Sequence, residues 1–440
     1  MRGQAEARPV ARARDPTMRA LWSACDAAAG PASTLATLAA LVRALSATDY
    51  GVLVIALAVS GLSMAINPAI AATTTKFISE LSGQRKSGGR TIAGVITVSL
   101  MAVALIDFVL LLGTVAFNEP LSLWVFGTAV ERARHVGEVL LLAVLSIGIQ
   151  QIEAVLAAAI KGLERFRRQA LIEIGSRVAL TAVVIYVALR TRSLEFILIA
   201  QCTMYMLSML VRAVALRGLL PDKRLFELSG LAEAGALFKY GGWMWLTALA
   251  GVAYTSADRI IIGRSLGAAS AGQYNIYVQI TQLIHFIPSS LLAFSFPAFS
   301  RLAAQGSTRR SEIARSYRSY LLAVSVSSLG MAAAMIVLWP LIFRILAGTG
   351  FAADRFGAPG LLTVNFLLLA CNVAPYYLLL ALGHARAVSM ITIASMLAAL
   401  LLMAVLIPRY GLEGAAVARL AYGVGSLMLL YKAHRLVKHT

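Results

Sequence analysis

The sequence predicts an all-α integral membrane protein of about twelve transmembrane helices, arranged as two six-helix bundles in a parallel internal repeat. Three observations carry this. Hydrophobic residues make up 59% of the 440 residues and charged residues only 13%, with a mean hydropathy of +0.79, a balance that excludes soluble globular domains. The apolar stretches are continuous: Val98 to Leu112 is interrupted only by Ser99 and Asp107, which favours self-satisfied helices over the alternation of a β-barrel. Finally, the stretch from Arg43 to Gly51 overlays a later one at a single offset, Arg43 on Arg264, Leu45 on Leu266, Ala47 on Ala268 and Gly51 on Gly272, and the same offset carries Leu81 onto Leu302.

Taken in order, residues 1–18 form a basic, polar tail, and the segment after it lacks a small-residue cleavage site, so it reads as an uncleaved first span. The N-terminal bundle, 19–216, holds spans at 19–42, 51–74, 91–116, 137–160, 169–189 and 194–216. Residues 217–237 mix charged and apolar side chains around Pro221, Arg224 and Phe226, as an amphipathic surface linker does. The C-terminal bundle, 238–432, holds spans at 238–263, 271–297, 318–346, 358–382, 386–407 and 412–432, followed by a short tail, 433–440. Most of the 39 Lys and Arg residues then fall on one side of the membrane, the side of both termini, which assigns both to the cytoplasm. The net charge of +19 is thereby a property of cytoplasmic loops and implies no nucleic-acid partner. Because each bundle has an even number of spans, the two copies enter the membrane in the same direction and enclose a central cleft.

Polar groups inside the spans are the informative residues, since an ionisable side chain near the bilayer centre costs about 2.5–3.5 kcal/mol. They are Asp26, Asp107, Glu153, Glu173, Arg177, Asp258, Arg259 and Arg419, accompanied by Gln150, Gln151, Gln279, Gln282, His285, Asn365 and Asn372; Arg212 also lies within a span. Glu173 and Arg177 are spaced i,i+4 and share a helix face, which suits either a fixed ion pair or a substrate role. Asp258 and Arg259 are adjacent and point roughly 100° apart, so each needs a partner elsewhere or snorkels to water near the outer end of its helix. Asp107 and Arg419 are expected to face an aqueous cavity, and Asp26 is either a proton or sodium site or a hydrated interfacial residue. Coupling or gating thus falls to Asp26, Asp107, Glu153, Glu173 and Asp258.

Pro68, Pro288, Pro340 and Pro375 are expected to kink their helices, and Trp22, Trp124, Trp243, Trp245 and Trp339 to anchor span ends at the interface. Cys25, Cys202 and Cys371 lack metal-ligand spacing and read as small core residues. No phosphate-cradling glycine loop, no His-Glu-x-x-His and no large soluble loop occurs, the stretch 117–137 being the longest outer connection. The sequence therefore calls for no cofactor beyond a coupling ion, H+ or Na+, and no catalytic or metal-binding residue.

The run from Ala257 to Tyr274, Ala-Asp-Arg-Ile-Ile-Ile-Gly-Arg-Ser-Leu-Gly-Ala-x(3)-Gly-x-Tyr, resembles the polysaccharide transporters and O-antigen flippases of the multidrug/oligosaccharidyl-lipid/polysaccharide (MOP) exporter superfamily. So do Thr48-Asp-Tyr-Gly-Val-Leu53 and the approach to the last span, Ile407-Pro-Arg-Tyr-Gly-Leu-Glu-Gly-Ala-Ala-Val-Ala-Arg419. The resemblance implies a MATE-like, two-bundle flippase in the bacterial inner membrane that carries an undecaprenyl-pyrophosphate-linked oligosaccharide for O-antigen, capsule or exopolysaccharide export. Its partners would be membrane lipids and the polysaccharide polymerase and export machinery. Arg177, Arg259 and Arg419 are the cations expected to meet the pyrophosphate, because a guanidinium binds phosphate oxygens bidentately. Two other readings stand beside it: a cation-coupled multidrug exporter using Asp26 and Asp107, and a membrane-embedded enzyme of glycan assembly.

Overall fold

The computed structural model describes residues 30, 32–61, 64, 67–83, 91–126, 130–220, 224–227, 251–292, 299, 310–347 and 356–438. All regular structure among them is helical: α1 (Ala32–Ala44), α2 (Ala47–Gly61), α3 (Asn67–Gly83), α4 (Ile92–Ala116), α5 (Asn118–Phe126), α6 (Val130–Gly162), α7 (Phe166–Thr191) and α8 (Leu194–Arg217). The second half follows with α9 (251–266), α10 (Ala268–Thr281), α11 (Leu283–Leu292), α12 (Arg310–Ala347), α13 (Ala358–Cys371), α14 (Val373–Ala381) and α15 (Ala385–Lys438). Seven described helices are long and apolar enough to cross a membrane, and Ala32–Ala44 and Ala47–Gly61 are shorter apolar ones. The protein is a multi-pass membrane protein whose lipid-facing surface is apolar, as at Leu105, Phe108 and Leu112 of α4 and Leu322, Val326 and Leu329 of α12. Asp26, Trp22, Trp243 and Trp245 lie outside the described residues.

Local chemistry sets the helix ends. Thr91 caps α4 by accepting from the Gly94 N–H at 3.0 Å, and Ser193 caps α8. Pro68 falls in the first turn of α3, where a missing N–H costs nothing. Pro375 sits just after a break at Asn372, whose amide donates to the Leu368 carbonyl at 2.8 Å and to Ser426 Oγ at 2.7 Å. Pro288 and Pro340 instead lie inside α11 and α12, which run through them. The break in α15 is at Gly411, with φ 59° and ψ −137°, a conformation that favours glycine.

Two expectations are corrected. The described residues of the stretch 117–137 are helical, forming α5 and the start of α6: Leu121 packs on the core while Trp124 stays exposed, 4.9 Å from the Arg264 guanidinium. Trp339 is no interfacial anchor, for it is buried and stacked on Phe343 with ring centroids 5.6 Å apart, in contact with Tyr277. From the stretch expected as linker, Glu227 is tied to the first turns of α4, accepting from Thr91 Oγ1 at 2.6 Å and donating its N–H to Thr97 Oγ1 at 2.7 Å.

The arrangement of cores explains the shape. One apolar core draws on both halves, with Leu53, Ile55 and Leu140 from the first and Ile262, Tyr274 and Trp339 from the second. Two others are confined to single halves: Phe77, Ile96 and Leu216 in the first, Tyr317, Leu378 and Val437 in the second. The halves are therefore joined at the end bearing the α1–α2 and α9–α10 turns and diverge at the other. At the joint, the repeat-related glycines touch: a Cβ on Gly51 would stand 1.7 Å from the Ala268 carbonyl oxygen, and one on Gly272 would lie 3.1 Å from Gly51 Cα. Gly263 likewise leaves room for Ile55, and Arg43 donates to the Ile345 carbonyl across the joint.

Gly51→Ala should force α2 from α10, at a cost of about 1–3 kcal/mol for overpacking. In an otherwise cysteine-free protein, we expect a lower melting temperature and faster labelling of Val54→Cys by a membrane-impermeant thiol reagent applied on the joint's side. Unchanged labelling would mean that these helices do not meet in the membrane as they do here.

Candidate functional site

Where the halves diverge, they enclose a cavity of about 1190 Å³. Its ceiling is Tyr50, Val54 and Asn275, close to the joint, and its wide end carries Lys76, Ser79 and Lys161. Most of the lining comes from the first half, and Asn275 and Gln279 are contributed by α10. A smaller space of about 180 Å³ adjoins it between Thr34, Arg177, Gln279 and Phe286.

The wall of the cavity holds a connected set of charges on α6, α7 and α8. Arg177 Nε donates to Glu173 Oε1 at 2.6 Å, one turn away on α7. Arg212 of α8 forks between two carboxylates, Nη1 donating to Glu153 Oε1 and Nη2 to Glu173 Oε2. Ser208 completes the set by donating to Glu153 and accepting from Arg212. Each carboxylate thus has a cationic donor, the condition under which charge survives burial. The two guanidinium groups differ sharply in access: the Arg177 side chain is 41% exposed and the Arg212 side chain 2%. Gln150 and Gln201 both donate to the Tyr205 hydroxyl, at 3.2 and 3.3 Å, giving the same wall a band of uncharged hydrogen-bonding groups.

A second charged set lies in the other half, away from the lining. Arg419 Nε donates to Asp258 Oδ2 at 2.8 Å, with both side chains buried and the guanidinium 5.1 Å from the Tyr254 ring. Asp258 Oδ1 accepts from the Arg259 N–H at 2.8 Å. Arg259 keeps Nη1 3.9 Å from Asp258 Oδ1 and donates from Nε to Asn275 Oδ1 at 2.8 Å, and Asn275 in turn donates to the Tyr50 hydroxyl at 2.8 Å. The chain Arg419–Asp258–Arg259–Asn275–Tyr50 therefore crosses from α15 to the cavity ceiling and onto α2.

The structure sorts the sequence candidates accordingly. Glu153, Glu173 and Arg177 line the cavity. Asp258 and Arg259 do not snorkel; their side chains are 0% and 14% exposed. Arg419 was expected to face water, and instead Asp258 draws it into the bundle. Asp107 also misses the cavity: it faces α6, accepting from Gln151 Nε2 at 2.6 Å and packing against Gly148. Asn365, an expected companion, is buried against Gly423. Three cavity cations were overlooked as candidates. Lys76 and Lys161 look like ordinary basic loop residues, and Arg212 has no acidic i,i+4 neighbour to mark it, its partners being 59 and 39 residues away in sequence. Among the described residues no group of three or more His, Cys, Asp or Glu side chains suits a metal ion.

Comparison with known proteins agrees with this architecture. Residues 10–303 match the family model described as polysaccharide biosynthesis protein. A Shigella flexneri protein that carries the name O-antigen transporter is 24% identical over 181 residues, 41% of this chain and 42% of that protein, so less than half of that relative's length is spanned. Among solved structures, an inward-facing multidrug resistance MATE family transporter of the MOP superfamily superposes with a TM-score of 0.74 at 13% identity, covering 92% of this chain and 95% of its own. The lipid II flippase MurJ, in an inward closed conformation, gives 0.71 at 14% identity, covering 91% and 85%. These two likenesses establish the fold, and the match over residues 10–303 establishes that the chain belongs to the polysaccharide biosynthesis protein family.

Proposed function

We propose that this protein is a flippase, a transporter and not an enzyme, which moves a lipid-linked oligosaccharide with an undecaprenyl-pyrophosphate anchor across the bacterial inner membrane. The observation that carries the reading is the charge of the cavity. Its described lining holds Lys76, Lys161, Arg177 and Arg212 against Glu153 and Glu173, and both carboxylates are engaged by arginines. A cationic cavity suits a diphosphate. Lys76 and Lys161, at the wide end, would meet it first, and the half-exposed Arg177 would hold it deeper in. Gln150, Gln201, Tyr205 and Gln279 offer donors and acceptors for sugar hydroxyls, while the lipid tail remains in the bilayer. With Lys76 and Lys161 on the cytoplasmic side, as the distribution of basic residues suggests, the joint closes the outer mouth and this conformation opens inward. Release to the outer leaflet would follow when the halves tilt and the joint parts.

Of the two carboxylates on which the drug-exporter reading rests, Asp26 lies outside the described residues and Asp107 faces α6, away from the described lining. The relative matched by sequence carries the name O-antigen transporter, which supports the glycan reading, whereas the solved structures of this fold include both a multidrug transporter and a lipid II flippase.

Deletion of the gene should abolish surface polysaccharide and leave lipid-linked repeat units on the inner leaflet, measured by extraction and chromatography; unchanged export would overturn the reading. In the complemented strain, Arg177→Gln should lower export by roughly tenfold or more, the worth of a charge-assisted hydrogen bond of about 1.5–3 kcal/mol. The double variant Lys76→Gln, Lys161→Gln should weaken pyrophosphate binding to the purified protein and flatten its dependence on salt, since it removes two positive charges from the lining. A salt profile identical to that of the wild type would rule out these lysines as the first contact.

A further inference from the structure

Arg212 is the most buried of the cations in the described lining, and it has two carboxylate partners. Glu173 is shared: one oxygen belongs to Arg212, and the other is held by Arg177 at 2.6 Å. The division matters for what Arg177 can do. If Arg177 swings into the cavity, Glu173 keeps a guanidinium on Oε2 and Glu153 keeps the same guanidinium on Oε1, so no carboxylate is left bare in a low-dielectric wall. Without Arg212, Glu153 would keep only the Ser208 hydroxyl, and release of Arg177 would leave Glu173 with the Gln169 amide and no guanidinium.

We infer that Arg212 is a positioning residue that acts as the fixed counter-charge of Glu153 and Glu173 and thereby leaves Arg177 exchangeable between Glu173 and an anionic phosphate ligand. The ligand's identity rests on the function proposed above; the mobility of Arg177 does not. Geometry supports the asymmetry. Arg212 is enclosed between α6 and α7 with Ser208 against it, whereas Arg177 borders both the main cavity and the smaller space beside it and packs against Gly30, which has no side chain to confine it.

Two measurements on the full-length protein in lipid nanodiscs separate the parts: peptide-resolved labelling of Arg177 by phenylglyoxal, and calorimetric binding of inorganic pyrophosphate. Arg212→Gln should slow labelling of Arg177 by several fold and weaken pyrophosphate binding about tenfold or more, the scale of one charged hydrogen bond. Arg212→Lys should fall between. The triple variant Glu153→Gln, Glu173→Gln, Arg212→Gln removes the carboxylates that would capture Arg177, and it should restore both labelling and binding. A merely structural Arg212 would not be rescued in this way. Glu173→Gln alone should speed labelling of Arg177, and it carries the test if Arg212→Gln does not fold. Unchanged labelling in Arg212→Gln or in Glu173→Gln, or a folded triple variant that stays unreactive, would overturn the inference. If labelling follows the expected pattern while the wild type binds no pyrophosphate, the positioning role stands and the diphosphate reading fails.

Discussion

The absent side chain of Gly51 sets the geometry on which the rest of the molecule depends. A Cβ there would collide with the Ala268 carbonyl oxygen at 1.7 Å, so α2 and α10 approach backbone to backbone. Gly272, the repeat partner of Gly51, lies against it, so glycine is used on both sides of the contact. The shared apolar core gathers around this point, and the separate cores lie away from it. Helices pinned together at one end and packed apart at the other leave a wedge, and the wedge is the cavity.

Membrane burial then decides which charges are tolerated where. In the second half, Asp258 and Arg419 neutralise each other out of contact with water. In the first, four charges form an alternating chain, Glu153–Arg212–Glu173–Arg177, whose last member is partly wet. Both arrangements obey the same rule, that a desolvated ion needs a partner and hydrogen bonds. They differ in consequence. The closed pair offers no donor to a ligand in the cavity, while the open chain ends on a guanidinium with faces to spare.

The fold class was legible in the sequence because hydropathy, loop charge and the repeated Arg43–Gly51 and Arg264–Gly272 turns each report on long stretches or on glycine's special geometry. Much of the site was legible for a related reason: Glu173 and Arg177 are one helical turn apart, and a helix forces such residues onto one face. What stayed hidden depends on contacts between distant segments. Arg212 meets Glu153 and Glu173 only after α6, α7 and α8 pack. Arg419 and Asp107 looked equally isolated, yet one finds a carboxylate on α9 and the other an amide on α6, and neither faces the cavity. Lys76 and Lys161 were obscured by the charge rule itself, since basic residues flanking apolar spans are what it expects and so they attract no further reading.

The repeat legible at Gly51 and Gly272 does not extend to the chemistry of the cavity. Nearly all the described lining comes from the first half, and the second contributes Asn275 and Gln279 from a single helix. Asn275 is also where the two charged sets come nearest in function: it accepts from Arg259 and donates to Tyr50, so the one hydrogen bond from Asn275 to Tyr50 joins the buried Asp258–Arg419 pair to α2. That bond spans the joint. Parting α2 from α10 must break it and leave the Asn275 amide and the Tyr50 hydroxyl in need of new partners, which a substrate's hydroxyls or entering water can supply. The ceiling of the cavity is therefore tied, through Asn275 and Arg259, to the buried charges of the second half.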